Sequence, residues 1–271
     1  MTTLTGNKMF AWNKASIYKP RIALCIAAML CLSSCAADFK KEPIIEGDIV
    51  IYDPLEDQNR NMLAFNQSVD RVLINPVVKG YRAATPQPVR TGIRNFLRNL
   101  RSPITFANQL LQGDLRGAGD AFVRAAVNTT VGVGGIFDVA GHEGIEYEPE
   151  DFGQTLAVWG VGNGPYLVVP ILGPSSARDY AGYFVDSFAD PLRMYLFNIN
   201  HEEIYYAKLG VDYLDIRESL IDVLNELEAS SIDYYASVRS TYYQRRQAMI
   251  YDLDASSIVA GPSIPDYDEE Q

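Results

Sequence analysis

Apolar residues recur along much of this chain at helical spacing. Met62, Phe65, Val69, Val72 and Leu73 follow the i, i+3, i+7, i+10, i+11 pattern of one helix face. Ile93, Phe96, Leu97 and Leu100 repeat it after the punctuation of Pro86 and Pro88. Tyr213, Ile216, Leu220, Val223, Leu224 and Leu227 repeat it again, with Asp215, Glu218, Asp222 and Glu226 on the other side. Alternating patterns are scarce, and Ile49 to Tyr52 is the best short strand candidate. The pattern predicts a mainly α domain.

The first residues follow another logic. Lys14, Lys19 and Arg21 precede an apolar run of 11 residues, Ile22 to Leu32, which is too short to cross a bilayer core of roughly 30 Å but suits a signal peptide. Leu32-Ser33-Ser34-Cys35 then resembles the bacterial lipobox, in which small residues precede a cysteine that is acylated and becomes the new N-terminus. The expected organisation is a lipoprotein signal peptide over 1–34, a lipidated tether over 35–48, a helical domain over 49–251 and an acidic disordered tail over 252–271. Cys25, Cys31 and Cys35 are the only cysteines, so cleavage leaves one thiol, assigned to acylation, and no disulfide within the mature chain. Ala36, rather than aspartate, follows the lipidation position and points to sorting to the outer membrane.

Cleavage removes Lys8, Lys14, Lys19 and Arg21 and no acidic residue, taking the formal charge from −11 to −15 over 237 residues. Such acidity argues against nucleic acid as a partner and against a generally basic membrane-hugging surface. Glycine is concentrated in the middle of the chain, with 13 of the 20 falling between Gly113 and Gly173. There, Leu156–Leu172 is almost free of polar side chains but is broken at Gly162-Asn163-Gly164-Pro165. Its two arms are far too short to span a membrane as helices. The expectation is an apolar hairpin or a pair of short segments reaching into one leaflet, or else a hairpin buried in the core.

Ordered blocks of this sequence resemble the MlaA (VacJ) family. They run from Asp53-Pro54-Leu55-Glu56 through Asn59-Arg60-Asn61-Met62, Pro86-Gln87-Pro88-Val89-Arg90 and Leu110-Leu111-Gln112-Gly113-Asp114. The densest block is Asn128 to Ala140, followed by Asp151-Phe152-Gly153-Gln154-Thr155-Leu156, Gly160 to Tyr166 and Leu172 to Asp179. The match spans about residues 48–250. The resemblance implies a helical, ring-like protein in the periplasm-facing leaflet of the outer membrane of a Gram-negative bacterium, enclosing an amphipathic channel. It also implies phospholipid as cargo, a trimeric outer-membrane porin and a soluble periplasmic lipid-binding protein as partners, and no cofactor. The expected role is removal of mislocalised phospholipid from the outer leaflet. The alternatives are an anchored lipid hydrolase and a scaffold that binds porins.

Moving a phospholipid requires a wet path for the head group and an apolar one for the acyl chains, because an unsatisfied polar group in hydrocarbon costs several kcal/mol. Candidate contacts are few. Arg94, Arg98 and Arg101 form an i, i+4, i+7 stripe that could meet lipid phosphates, although a solvated face paired with acids is the favoured reading. Trp159 and Tyr166 flank the turn containing Asn163, and the three are candidates for a head-group boundary or for core packing. Gly132-Val133-Gly134-Gly135 lacks the Lys-Ser/Thr ending of a phosphate loop and reads better as a tight bend. Ser175 and Ser176 sit in no nucleophile-elbow motif and are placed to cap a helix through Ala177. No catalytic or metal-binding constellation is expected: His142 and His201 are far apart and no HExxH motif occurs.

Overall fold

A computed structural model describes residues 44–46 and 49–252. The signal peptide, Cys35, most of the tether and the acidic tail beyond Asp252 lie outside the described residues. The domain opens with an antiparallel pair, β1 (Ile44–Glu46) and β2 (Ile49–Ile51), at the expected strand position. Among the described residues the other regular elements are helices, apart from one later hairpin.

Helix α1 (Glu56–Val69) passes through a π turn at Asp70–Ile74 into α2 (Asn75–Ala84). Pro76 explains the wider turn, since it has no N–H to bond four residues back and its ring crowds that carbonyl. Thr85 is driven into an extended conformation by the following Pro86 and ends α2. Helix α3 (Gln87–Gln112) then runs to Gly113, whose φ of 84° closes it in the left-handed region. Asp114 accepts from the N–H groups of Arg116 and Gly117 to start α4 (Leu115–Thr130), which makes an αα-hairpin with α3.

The glycine run after α4 is the tight bend expected of it. Val133, Gly134 and Gly135 have φ of 54°, 72° and 96°, and a Cβ at Gly135 would stand 2.4 Å from that of Asn99. The chain continues through α5 (Val139–His142) and α6 (Phe152–Val158), the latter capped by Asp151. The apolar segment that follows departs from expectation. Its first arm belongs to α6 and does not pair with the second. The hairpin forms instead from β3 (Tyr166–Val169) and β4 (Gly173–Ser176), with Tyr166 opposite Ser176. Gly162-Asn163-Gly164-Pro165 is thus a link between helix and strand, and the true reversal lies at 170–172, where Ile171 has φ of 66°.

Ser176 caps α7 (Ala177–Ala189) by accepting from the Asp179 N–H, as its position predicts. There follow α8 (Pro191–Asn198), α9 (Glu202–Ser219), α10 (Ile221–Ser230) and α11 (Tyr234–Ile250). Helices α6 and α7 cross closely: a Cβ at Gly182 would lie 2.2 Å from the Gly153 nitrogen. The single helical period read across 213–227 is in fact divided between α9 and α10 at Leu220.

The core lies where α1, β3 and α11 meet. Ile51, Leu63, Val168, Tyr235, Val238 and Tyr243 pack around Tyr166, whose ring centre is 5.8–6.1 Å from those of Tyr235, Tyr242 and Tyr243. Tyr166 is fully buried, so it stands in the core and not at a head-group boundary. Two asparagines of α1 serve as an artificial edge for β3. Asn59 donates to the Tyr166 carbonyl and accepts from Val168 N–H; Asn66 does the same with the Val169 carbonyl and Ile171 N–H, all at 2.9 Å. Seven helical residues rise about 10.5 Å and three strand residues about 10 Å, so the two clamps stay in register.

Asp53 sits beneath this core at 3% exposure, accepting from Asn59, from the Tyr235 hydroxyl and from Arg239 Nη1 at 2.8 Å. Removing one member of a buried ion pair strands the other charge and costs about 3–5 kcal/mol. Asp53→Ala is therefore expected to lower the unfolding free energy by about 3 kcal/mol or more, read by chemical denaturation. Tyr235→Phe, which removes one hydrogen bond, should lose about 1 kcal/mol.

Candidate functional site

An amphipathic helix in a water-soluble domain turns its apolar stripe inward. Here the stripes are split: Met62, Leu97 and Leu227 face inward, while other members turn outward. Phe65 and Leu73 on the first predicted stripe are exposed, and Val72 is 79% exposed. On the third, Ile216 and Val223 are exposed while Asp215 and Glu218, expected on the opposite side from the core, are buried. The reason is a cluster of arginines. Glu218 lies 3.1–3.2 Å from Arg82, Arg90 and Arg94, and Arg94 also reaches Asp215 at 3.0 Å. Buried carboxylates are tolerated when paired in this way.

A second polar network fills the space between α3, α6, α7 and α11. Arg246 bridges Asp151 at 2.6 Å and Asp179 at 2.9 Å, and Asp179 also takes the guanidinium of Arg178 and the hydroxyl of Tyr242. Burial opposes the charge on Asp151, yet Arg246 outweighs it and holds that carboxyl below its usual range. Beside it, Glu150 has no arginine in contact. It accepts from Gln112 and Gln154, and burial, helped by the charges of Asp252 and Asp151, pushes it up to about 7.

Large apolar side chains meanwhile occupy the exterior. Leu115 is 75% exposed, and Phe122, Phe137, Phe188, Met194 and Tyr195 are each exposed by more than half. Buried polar groups and exposed large apolar ones are the informative exceptions to ordinary burial, and contiguous apolar surface marks contact with protein or membrane. No helix among the described residues is long and apolar enough to cross a membrane.

The three arginines of the α3 stripe are used differently. Arg94 turns inward to the acids of α9, which is the paired reading. Arg98 lies 4.7 Å over the ring of Tyr147. Arg101 is exposed and makes no ion pair among the described residues, though its charge reaches Asp151, Asp186 and Tyr147. Trp159 stays exposed, with its indole N–H donating to the Leu111 carbonyl at 3.0 Å. Asn163 holds the turn by accepting the Arg178 N–H on its backbone carbonyl. Ser176 is fully buried with its hydroxyl accepting from the Asp179 N–H, and His201 Nδ1 bonds Glu203 at 2.8 Å.

Sequence reading missed the partners opposite Arg98. Arg124 on α4 is clamped by Asp138 and the Ile145 carbonyl, and Asn128 donates to the same Asp138. Tyr147 packs against Arg98 and Arg124 together. Asp138 was visible within the densest block of resemblance, but neither period nor spacing links it to Arg124.

Ion-paired networks buried beside a tyrosine-centred apolar core, with many large apolar side chains exposed, define a class of helical domain whose surface suits an apolar neighbour. Residues 51–249 match the family model described as MlaA lipoprotein, and the chain belongs to that family. It is 38% identical over 197 residues to the Escherichia coli (strain K12) protein named intermembrane phospholipid transport system lipoprotein MlaA, covering 71% of this chain and 76% of that one. The protein of the same name from Haemophilus influenzae is 30% identical over 249 residues, covering 90% and 95%. An uncharacterized protein of Rickettsia bellii is 35% identical over 207 residues, covering 76% and 80%. A solved structure described as "Structural basis for maintenance of bacterial outer membrane lipid asymmetry" has a TM-score of 0.65 and 36% identity, covering 73% of this chain and 98% of that one.

Glu150 gives the polar interior a pH signature. Its carboxyl keeps its proton to about 7 when folded and loses it near the ordinary 4.5 when unfolded. The folded state therefore holds the extra proton between those values, and the stability it confers is complete below 4.5 and lost as pH rises through about 7. Glu150→Gln should remove this dependence. The difference in unfolding free energy between variant and wild type should move in the variant's favour by about 3 kcal/mol from pH 4.5 to 8, measured by denaturant titration across that range.

Proposed function

We propose that this protein is the outer-membrane lipoprotein of an intermembrane phospholipid transport system, anchored through acylated Cys35 on the periplasmic side. It takes phospholipid that has strayed into the outer leaflet and passes it, along a path polar on one side and apolar on the other, to a soluble periplasmic lipid-binding protein. A trimeric porin is its partner in the membrane. The observation that carries this reading is the inversion of burial. Glu218, Asp179 and Arg246 are inside, while Leu115, Phe122 and Phe188 are outside, on helices unable to span a bilayer. A domain seated partly in one leaflet has that distribution, since lipid tails accept apolar side chains and every buried polar group must find its partner within the protein.

Family membership and the names of the Escherichia coli and Haemophilus influenzae relatives support the same reading. Passive movement of lipid requires no nucleophile and no energy source in this chain, and the net direction follows whichever gradient the partners maintain.

The test is surface labelling of phosphatidylethanolamine in cells lacking the gene and in cells complemented with wild type or Cys35→Ala. Loss of the gene should raise labelling severalfold, and only the acylatable protein should restore it. Unchanged labelling with porin association intact would exchange the transport reading for that of a scaffold.

A further inference from the structure

Two shallow clefts, with enclosed volumes of about 10 and 20 Å³, open side by side between α3, α4 and the segment that follows α5. Each encloses room for about one water, so a head group would lie across their open mouths and not inside them. Ser102, Arg124 and Tyr147 form the wall they share. Their outer ends differ in charge. Arg98 lines the first with Asn95 and Asn99; Asp120, Glu146 and Glu148 line the second.

These charges are unspent. Arg94 and Arg124 are committed to carboxylates, whereas Arg98 has no acidic partner among the described residues. Asp120, Glu146 and Glu148 likewise meet no cation within ion-pair distance there. Burial and the charges of Asp252, Asp120, Asp114 and Glu146 hold Glu148 above the usual carboxylate range, the mark of an uncompensated negative field. The walls also carry open hydrogen-bonding atoms. Thr105 is only 4% exposed, lines the second cleft and leaves its hydroxyl without a partner; the buried amide oxygen of Asn99 in the first cleft is also unpartnered. A buried polar atom of this kind is destabilising until something bonds to it.

We infer that the paired clefts form a head-group site for a zwitterionic membrane phospholipid, with the phosphate against Arg98 and the ammonium against Asp120, Glu146 and Glu148. This rests on the transport reading above and adds to it a residue-level site and a preference. Tyr147 already carries the guanidinium groups of Arg98 and Arg124 at 4.7 and 5.7 Å, so its ring is not free to cage a choline. The acidic end recognises its cation by charge and hydrogen bonds, which favours a primary ammonium, that of ethanolamine. The apolar flank argues for an intact lipid over a deacylated diester. Leu115 and Phe122 are exposed on α4 next to the residues lining the second cleft, and Phe106 of α3 extends that flank with its ring 6.2 Å from Phe122.

The test is native mass spectrometry of the acylated, detergent-solubilised protein offered an equimolar mixture of phosphatidylethanolamine and phosphatidylglycerol. Wild type should retain the zwitterionic lipid in preference. Arg98→Gln should weaken retention of both lipids about tenfold, as expected for one charge-assisted contact. Asp120→Asn combined with Glu148→Gln should abolish the preference while leaving phosphatidylglycerol retention intact or higher. Arg116→Gln, an exposed arginine outside the clefts, should change neither. If both cleft variants keep wild-type retention and preference, the site is wrong while the transport reading stands. If wild type retains no phospholipid, both fail. Competition by glycerophosphoethanolamine at equal concentration would overturn the assignment to an intact lipid.

Discussion

Burying Asp53 against Arg239 obliges the protein to supply a partner for each remaining lone pair and proton nearby, and the domain is assembled around meeting that demand. Asn59 and Tyr235 complete the shell, so the start of the domain, α1 and α11 are joined through one carboxylate. Asn59 is bound at the same time to the backbone of β3, which carries the restraint to the hairpin and to the packed tyrosines. Hydrophobic contact is non-directional and would tolerate many arrangements. A buried charge with fixed donors tolerates few, because a shifted helix would leave it unpaired.

The same rule recurs at Glu218, at Asp179 and at Asp138, each buried or half-buried and each met by at least one arginine. Polar pairing therefore orders the interior beside the Tyr166 core, while Leu115, Phe122, Ile216 and Tyr195 stand outside. In water that exterior would be a liability for aggregation. Against lipid tails it is neutral or favourable, and the ion pairs within are shielded from competition by solvent. Fold and proposed function thus share one physical basis: ion-paired groups buried beside the apolar core, and large apolar side chains left on a surface that suits a lipid neighbour.

Much of the local structure was legible because its causes are local. Pro86 and Pro88 mark the start of α3, Gly113 its end, and Asp114 and Ser176 the caps that follow. The glycine run at 132–135 declared a bend through its freedom at positive φ. The segment Leu156–Leu172 misled because its composition was read without a partner. Uniform apolarity does not say which strand a strand will pair with, and the pairing of Tyr166 with Ser176, outside the apolar run, settled it. Tyr166 followed the same course: beside a turn in sequence, it became the centre of the core once α11 brought three more tyrosines around it.

By itself the sequence determined the helical class, several of the places where helices start and stop, and membership of a lipoprotein family, since these depend on period, on cap and turn residues and on ordered motifs. Only the tertiary structure decided which way each helix faces. A period of apolar residues defines a stripe but not its neighbour, and here arginines from α2 and α3 drew the acids of α9 inward and left Ile216 outside. It also decided that Arg98 would lie over Tyr147, 49 positions away, with its charge unspent. Such pairings arise from helices meeting in space, and no pattern along the chain encodes them.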